Sequence, residues 1–219
     1  MANLLKTTPQ GPQDSRDIPH DILMAEFEFL ADAAQQANED RARVTQYYFM
    51  TLGSVVASAF GLKEISAEYL RWAYVGLGLL FLMLTGFGHL TIRQLIGLRL
   101  AWLKYSLEMD VIKQYYIDHF PHVQLSSALR LLPAGLPNAY KSGSMANLLA
   151  AATCLMSSLA LTVGLVALGL ALVRLQKIPI LIGLGLVAGI ILYDRQYRYY
   201  REQLTGSRVQ KEIDEIKKK

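Results

Sequence analysis

The sequence predicts an all-α integral membrane protein: a four-helix bundle of two transmembrane hairpins that carries long cytoplasmic helical extensions. The 219-residue chain is 53% hydrophobic and 18% charged, whereas soluble domains carry about 25% charged residues. Its apolar residues fall into four blocks without charge, at 45–62, 72–92, 144–173 and 178–193. A bilayer core needs about 20 apolar residues per helix, so the blocks predict four spans. Helices of a soluble bundle would instead keep a polar stripe.

The chain before the first block divides into a tail, 1–20, and a helix, 21–44. The composition of the tail, with Pro and Gly, predicts disorder and not a signal peptide. Neither Pro nor Gly occurs from 20 to 52, which predicts an unbroken amphipathic cytoplasmic helix. One charged residue, Arg41, lies in its heptad seam, which consists of Leu23, Phe27, Leu30, Ala34, Ala37, Arg41, Val44 and Tyr48.

The first predicted hairpin, 45–92, leads into a cytoplasmic segment, 93–143, which begins as a helix and becomes irregular. The helical part carries a seam and a second apolar stripe beside it: Leu95, Leu98, Trp102, Tyr105, Met109, Ile112 and Tyr116, then Leu100, Leu103, Leu107 and Val111. Two stripes predict burial on two sides. We expect the 21–44 helix on one side and the membrane surface or a neighbouring subunit on the other. Alternatively, both seams only close one monomer.

The second predicted hairpin, 144–193, is followed by a basic cytoplasmic tail, 194–219. Lys and Arg number four up to residue 44, six in 93–143 and eight in the tail, whereas the two short loops between spans hold four. Because Lys and Arg concentrate on cytoplasmic flanks, this predicts a protein of the inner (cytoplasmic) membrane with both termini inside.

Small residues four positions apart predict faces on which membrane helices approach closely. The alternative functional reading is that a mildly polar face lines an oligomeric pore. The candidate residues are Thr51, Gly53, Ser54, Ala57, Ser58 and Gly61 in the first block, Thr153 and Ser157 in the third, and Gly185 and Gly189 in the fourth.

The segment "YDRQYRYYREQ" places tyrosines and arginines directly after the fourth block. Such residues anchor a helix at the membrane interface, and a stronger interpretation is a site for anionic lipid headgroups. The candidate residues are Arg195, Tyr197, Arg198 and Arg201. Since the sequence contains no phosphate loop, nucleophile elbow or HExxH motif, we expect no catalytic, cofactor-binding or metal-binding residues, and nucleic acid is not an expected partner.

The layout of residues 21–118 is an amphipathic entry helix, a tight membrane hairpin and a returning cytoplasmic helix. This layout resembles the SLATT-type small membrane effectors of bacterial nucleotide-signalled defence systems. The resemblance implies assembly in the membrane and permeabilisation when a partner senses infection. The chain departs from that layout by its second hairpin and by having no recognisable ligand-sensing domain, so no residue role is carried over.

These features predict a non-enzymatic, homo-oligomeric membrane effector or channel-like pore, in contact with the bilayer and its anionic headgroups. The alternative is a scaffold that recruits a cytoplasmic protein partner to anionic lipid. An ion-coupled transporter is disfavoured, because such proteins usually need charged residues at mid-membrane depth and the four blocks contain none.

Overall fold

The computed structural model describes residues 17–61, 66–119, 138–172 and 178–216. Within these ranges the chain forms helices and no strand, which confirms the predicted all-α class. The five helices are α1 (Asp17–Phe60), α2 (Ala67–His119), α3 (Met145–Leu172), α4 (Ile178–Thr205) and α5 (Arg208–Ile216). The first short loop was predicted over 63–71, but α2 already begins at Ala67 within it. The predictions for most of the N-terminal tail, the second short loop and most of the irregular segment concern residues outside the described part of the chain.

The first helix, α1, begins at Asp17 and not at residue 21 as the sequence predicted. Pro19 lies in its first turn, where the missing backbone N–H costs no helical hydrogen bond. Helix α1 is 44 residues long in all, which corresponds to about 66 Å at 1.5 Å per residue.

Helices α1 and α2 lie antiparallel, with their contacts distributed along both. Near the start of α1, the imidazole Nδ1 of His20 lies 3.0 Å from the Tyr116 hydroxyl. Near its apolar half, the rings of Tyr48 and Phe87 are 5.9 Å apart. Most of the predicted seam of α1 is buried against α2, including Leu30 and Ala34. The expectation that one side of α2 packs on the N-terminal helix is therefore met.

The other side of α2 packs largely on its own chain, mainly on α3. Val111 of the second stripe is 67% exposed, and the expected contact with the membrane surface or a neighbouring subunit stays a prediction. Helix α3 lies antiparallel to α2, and their backbones meet closely: a Cβ atom on Gly78 would lie 3.1 Å from the Gly164 oxygen. Helix α4 in turn lies mainly against α3. The long helices thus follow one another in the order α1, α2, α3, α4, each beside the next.

A cluster of buried hydrophobic residues lies at the end of the bundle that contains Arg41 and Arg99, here called the basic end. Leu103 and Leu107 of α2 are buried there, in one cluster with Ala139, Leu204 and Ile213. The predicted tail after 193 is helical over most of its length, since α4 extends to Thr205 and α5 follows. The Ser207 hydroxyl accepts a hydrogen bond from the Gln210 backbone N–H at 3.1 Å and so caps α5.

Among the described residues, three helices are long and apolar enough to cross a membrane: Glu68–His119, Met145–Leu172 and Pro179–Thr205. These belong to α2, α3 and α4, and they support a membrane protein. Helix α1 does not reach the same hydropathy, because its apolar half starts with Thr45, Gln46 and two tyrosines and ends at Phe60.

Candidate functional site

The small-residue face of α1 does not pack on any other part of the chain that the structure describes. Gly53, Ala57 and Gly61 are exposed, and a Cβ atom added at Gly53 or Gly61 would meet nothing within 4 Å. Helix α1 instead turns bulkier residues inward, since Leu52 and Val55 pack against the cluster of Phe81, Leu84 and Ala160. The small-residue face of α1, defined by Gly53, Ala57 and Gly61, is therefore open.

The hydroxyl groups beside this face are satisfied within α1 itself. Thr51 donates to the Tyr47 carbonyl oxygen at 2.8 Å, Ser54 to that of Met50 at 3.0 Å, and Ser58 to that of Ser54 at 2.9 Å. A hydroxyl bonded in this way can face lipid at little cost, and it still presents an oxygen to a second helix or to water.

The polar candidates of α3 lie inside the bundle. Thr153 and Ser157 have 0% of their surface exposed. The Ser157 hydroxyl donates to the Thr85 carbonyl oxygen of α2 at 3.2 Å and accepts from the Gln196 amide of α4 at 3.2 Å. Ser157 therefore joins three helices and has no surface with which to line a pore in this arrangement.

The glycines of α4 are covered by α3. A Cβ atom on Gly185 would lie 3.2 Å from the Thr162 carbonyl oxygen, and one on Gly189 would lie 3.0 Å from that of Ser158. The Thr162 hydroxyl donates to the Gly185 carbonyl oxygen at 3.0 Å. The same spacing of small residues thus gives an open face on α1 and a covered face on α4.

The four residues predicted to contact lipid headgroups do not form one cluster. Arg195 and Arg198 are exposed, and Arg198 is paired with Asp194 at 2.7 Å. Tyr197 instead turns toward α3, where its hydroxyl donates to the Asn147 side-chain oxygen at 3.2 Å. The Arg201 guanidinium lies 5.6 Å from the centre of the Tyr140 ring.

Arg195 lines a cleft of about 380 Å³ between α2 and α4, together with His89, Leu192, Gln196 and Tyr199. Sequence reasoning missed Gln196 and Tyr199 as members of this cleft. The sequence did indicate Tyr199, because a residue four positions after Arg195 shares its helix face. Gln196, the next residue after Arg195, had no such indication. The cleft offers a cation beside an apolar wall, which suits the boundary between a headgroup and an acyl chain.

Two arginines are buried at the basic end. Arg41 of α1 is 9% exposed and Arg99 of α2 is 7% exposed. Burial lowers the pKa of both guanidinium groups, and the nearby charge of Arg41 lowers the pKa of Arg99 further. Arginine remains charged at neutral pH despite such shifts. Tyr200 of α4 is 1% exposed. Burial raises the pKa of its hydroxyl, and the nearby charges of Arg99 and Arg41 partly oppose that rise.

The two guanidinium groups differ in their partners. Arg99 donates to the carbonyl oxygens of Ala139 and Asn138, each at 3.3 Å, and it lies over the Trp102 ring at 4.7 Å. The Arg41 side chain has no hydrogen-bond or ion-pair partner among the described residues, and its Nε atom is fully enclosed. The sequence signal for this site was the position of Arg41 as a charged member of an apolar seam.

In the part of the chain that the structure describes, no group of three or more His, Cys, Asp or Glu side chains could hold a metal ion. Comparisons with protein-family models, with curated proteins and with solved structures gave no match. The class of the protein is therefore set by its helices alone: an all-helical protein with three helices that are long and apolar enough to span a membrane.

Proposed function

We propose that the chain is a non-enzymatic protein of the cytoplasmic membrane that crosses it four times, with both termini and residues 93–143 inside. The apolar half of α1 supplies the fourth span. Support comes from its outward-facing apolar side chains, since Met50 and Phe60 are 60% and 70% exposed, and from its position alongside the span of α2. The distribution of Lys and Arg supports the orientation.

The protein assembles into a homo-oligomer through the open small-residue face of α1 and acts as a channel-like membrane effector. One observation carries this proposal: a Cβ atom added at Gly53 or Gly61 would meet no atom of the described residues within 4 Å. Small-residue faces let membrane helices approach closely, and an unused one is available to a second copy. In such an assembly Thr51, Ser54 and Ser58 would give a mildly polar lining, suited to a hydrophobically gated pore of low selectivity.

The native mass in lipid nanodiscs tests the assembly. We expect a closed ring of several chains for the wild type and a smaller species for Gly53→Leu. Gly183→Leu is the matched control, because Gly183 of α4 is also exposed and also meets nothing within 4 Å. A monomeric wild type, or equal loss of assembly in both variants, contradicts the proposal.

Conductance across planar bilayers tests the pore separately from the assembly. Ser54→Leu and Ser58→Leu remove exposed hydroxyls that bond only to their own helix, so the fold of the monomer should survive. We expect lower conductance with the oligomer retained. Unchanged leakage in both variants would leave the assembly in place but remove α1 as its lining.

The second candidate is a scaffold that recruits a cytoplasmic partner to anionic lipid. The observation that favours it is the cleft with Arg195 at its edge and an apolar wall beside it. On this hypothesis Arg195→Gln weakens retention on phosphatidylglycerol bilayers relative to phosphatidylcholine bilayers. Arg208→Gln is the control, since Arg208 is an exposed arginine on α5. If both variants behave alike, the effect is one of total charge and the cleft is not a headgroup site.

A further inference from the structure

The buried arginines at the basic end form a site that assembly through α1 does not explain. Arg41 and Arg99 come from different helices and both lie more than nine-tenths buried. Lys113 of α2 lies over the Phe27 ring of α1. Because the two helices are antiparallel, Arg41, fourteen residues after Phe27, comes level with Arg99, fourteen residues before Lys113. The charge of Arg41 accordingly lowers the pKa of Arg99. In the described residues neither guanidinium forms an ion pair with a carboxylate.

Burying a charge without a partner is costly, and proteins normally pair such a charge or let it bind an ion. Arg99 is partly compensated, because two of its five N–H groups reach the carbonyl oxygens of Asn138 and Ala139. Arg41 has no such compensation among the described residues, which leave its enclosed Nε without an acceptor. An apolar residue at this position of the seam would pack without that cost. Packing alone therefore does not explain why the position holds an arginine.

We propose that Arg41 and Arg99 together bind an anion of the phosphate type between α1, α2 and α4. Guanidinium groups match phosphate oxygens through paired N–H donors, which a single lysine ammonium cannot do. Arg99 is held in place by the backbone at 138–139 and by stacking on Trp102. Its remaining N–H groups and those of Arg41 supply the donors.

The phosphate could come from two sources that share this chemistry. Arg41 lies one turn before the first apolar block, and Arg99 lies two turns after the second. This depth is close to that of lipid headgroups, so a phosphodiester of an anionic lipid can reach the site, and so can a free phosphate group from the cytoplasm. The inference does not rest on oligomer formation or on a pore.

The test is thermal unfolding of the full-length protein in a maltoside detergent, which carries no phosphate. Inorganic phosphate replaces chloride at constant ionic strength in one arm, and short-chain phosphatidylglycerol is added in the other. We expect the wild-type Tm to rise by about 2–4 °C in at least one arm. A rise with inorganic phosphate identifies a free phosphate ligand, and a rise with the lipid alone identifies a headgroup.

Arg41→Met should abolish that rise, while its Tm without ligand equals or exceeds that of the wild type, because the uncompensated charge is gone. Arg208→Gln is the control for binding at exposed arginines and should keep the full rise. If Arg41→Met does not fold, Arg41→Lys replaces it and should weaken the apparent affinity by about tenfold or more. A wild type that responds to neither ligand overturns the proposal. A rise of undiminished size in Arg41→Met also overturns it, or in Arg41→Lys where Arg41→Met does not fold.

Discussion

Helices α1 and α4 carry the same spacing of small residues, but the two faces have opposite surroundings. On α4, Gly189 lies so close to α3 that an added Cβ atom would be 3.0 Å from the Ser158 carbonyl oxygen. On α1, a Cβ atom added at Gly53 or Gly61 would meet nothing within 4 Å among the residues that the structure describes. The spacing therefore indicates that a backbone can be approached closely, but it does not say which helix makes the approach.

The difference follows from what each helix presents on its other side. Helix α1 already has a bulky face, with Leu52 and Val55 packed against the α2 side of the bundle, so its small residues point away. Helix α4 has its bulky residues outside, since Leu184 and Ile190 are 63% and 68% exposed. Its glycines are then the surface left for α3. A face that is closed in the monomer contributes to folding, whereas an open face is free to contribute to assembly.

The largest expected effect is that of Gly189→Leu, compared with the same substitution at Gly53. The new side chain at Gly189 would collide with the β-branched side chain of Thr162 and would press against the Ser158 backbone carbonyl of α3. We expect a loss of about 3 kcal/mol in the free energy of unfolding, the upper part of the range for overpacking. Gly53→Leu should leave that free energy unchanged or slightly higher, because leucine is the better helix former.

Unfolding by SDS of each variant, in a detergent that keeps the chain monomeric, measures this difference. Using the same substitution at both sites cancels the change in helix propensity. Equal destabilisation by the two variants would mean that the face of α1 is covered in the monomer, and the distinction between open and closed faces would fail.

The next effect compares two serines. Ser157→Ala removes the partner of the Gln196 amide, which is 3% exposed and whose Oε1 already has no hydrogen-bond partner. We expect a loss of about 1–2 kcal/mol, the cost of leaving a buried amide donor unpaired. Ser54→Ala should change the free energy of unfolding by less than about 0.5 kcal/mol, as surface substitutions do. The same SDS titration measures both, and a neutral Ser157→Ala would mean that the amide finds another acceptor.

The sequence was sufficient to predict the long helices and one contact between them, but not α5 or the remaining contacts. Apolar blocks and seams are local properties, so they predicted the all-α class, the helices α2 to α4 that are apolar enough to span a membrane, and the packing of α1 on α2. Helix α5 and the contact of Ala139 with Arg99 depend on residues far apart in the chain, such as the bond of 2.8 Å from the Ala139 N–H to the Gln210 side chain. For the same reason Arg41 could be noticed in its seam, whereas its neighbour Arg99 could not be identified.

The smallest expected effect is that of removing one hydroxyl between α3 and α4, compared with removing one beside the open face of α1. Thr162→Val keeps the shape of the side chain but removes donation to the carbonyl oxygens of Gly185 and Ser158, at 3.0 and 3.1 Å. Hydrogen bonds between membrane helices contribute ~0.6 kcal/mol on average, and we expect a loss of that size. Thr51→Val removes a bond within α1 alone and should cost less. If the two variants lose the same free energy of unfolding, the hydroxyl does not hold α3 and α4 together, and the close approach of their backbones does. Gly189 alone would then distinguish the closed face from the open one.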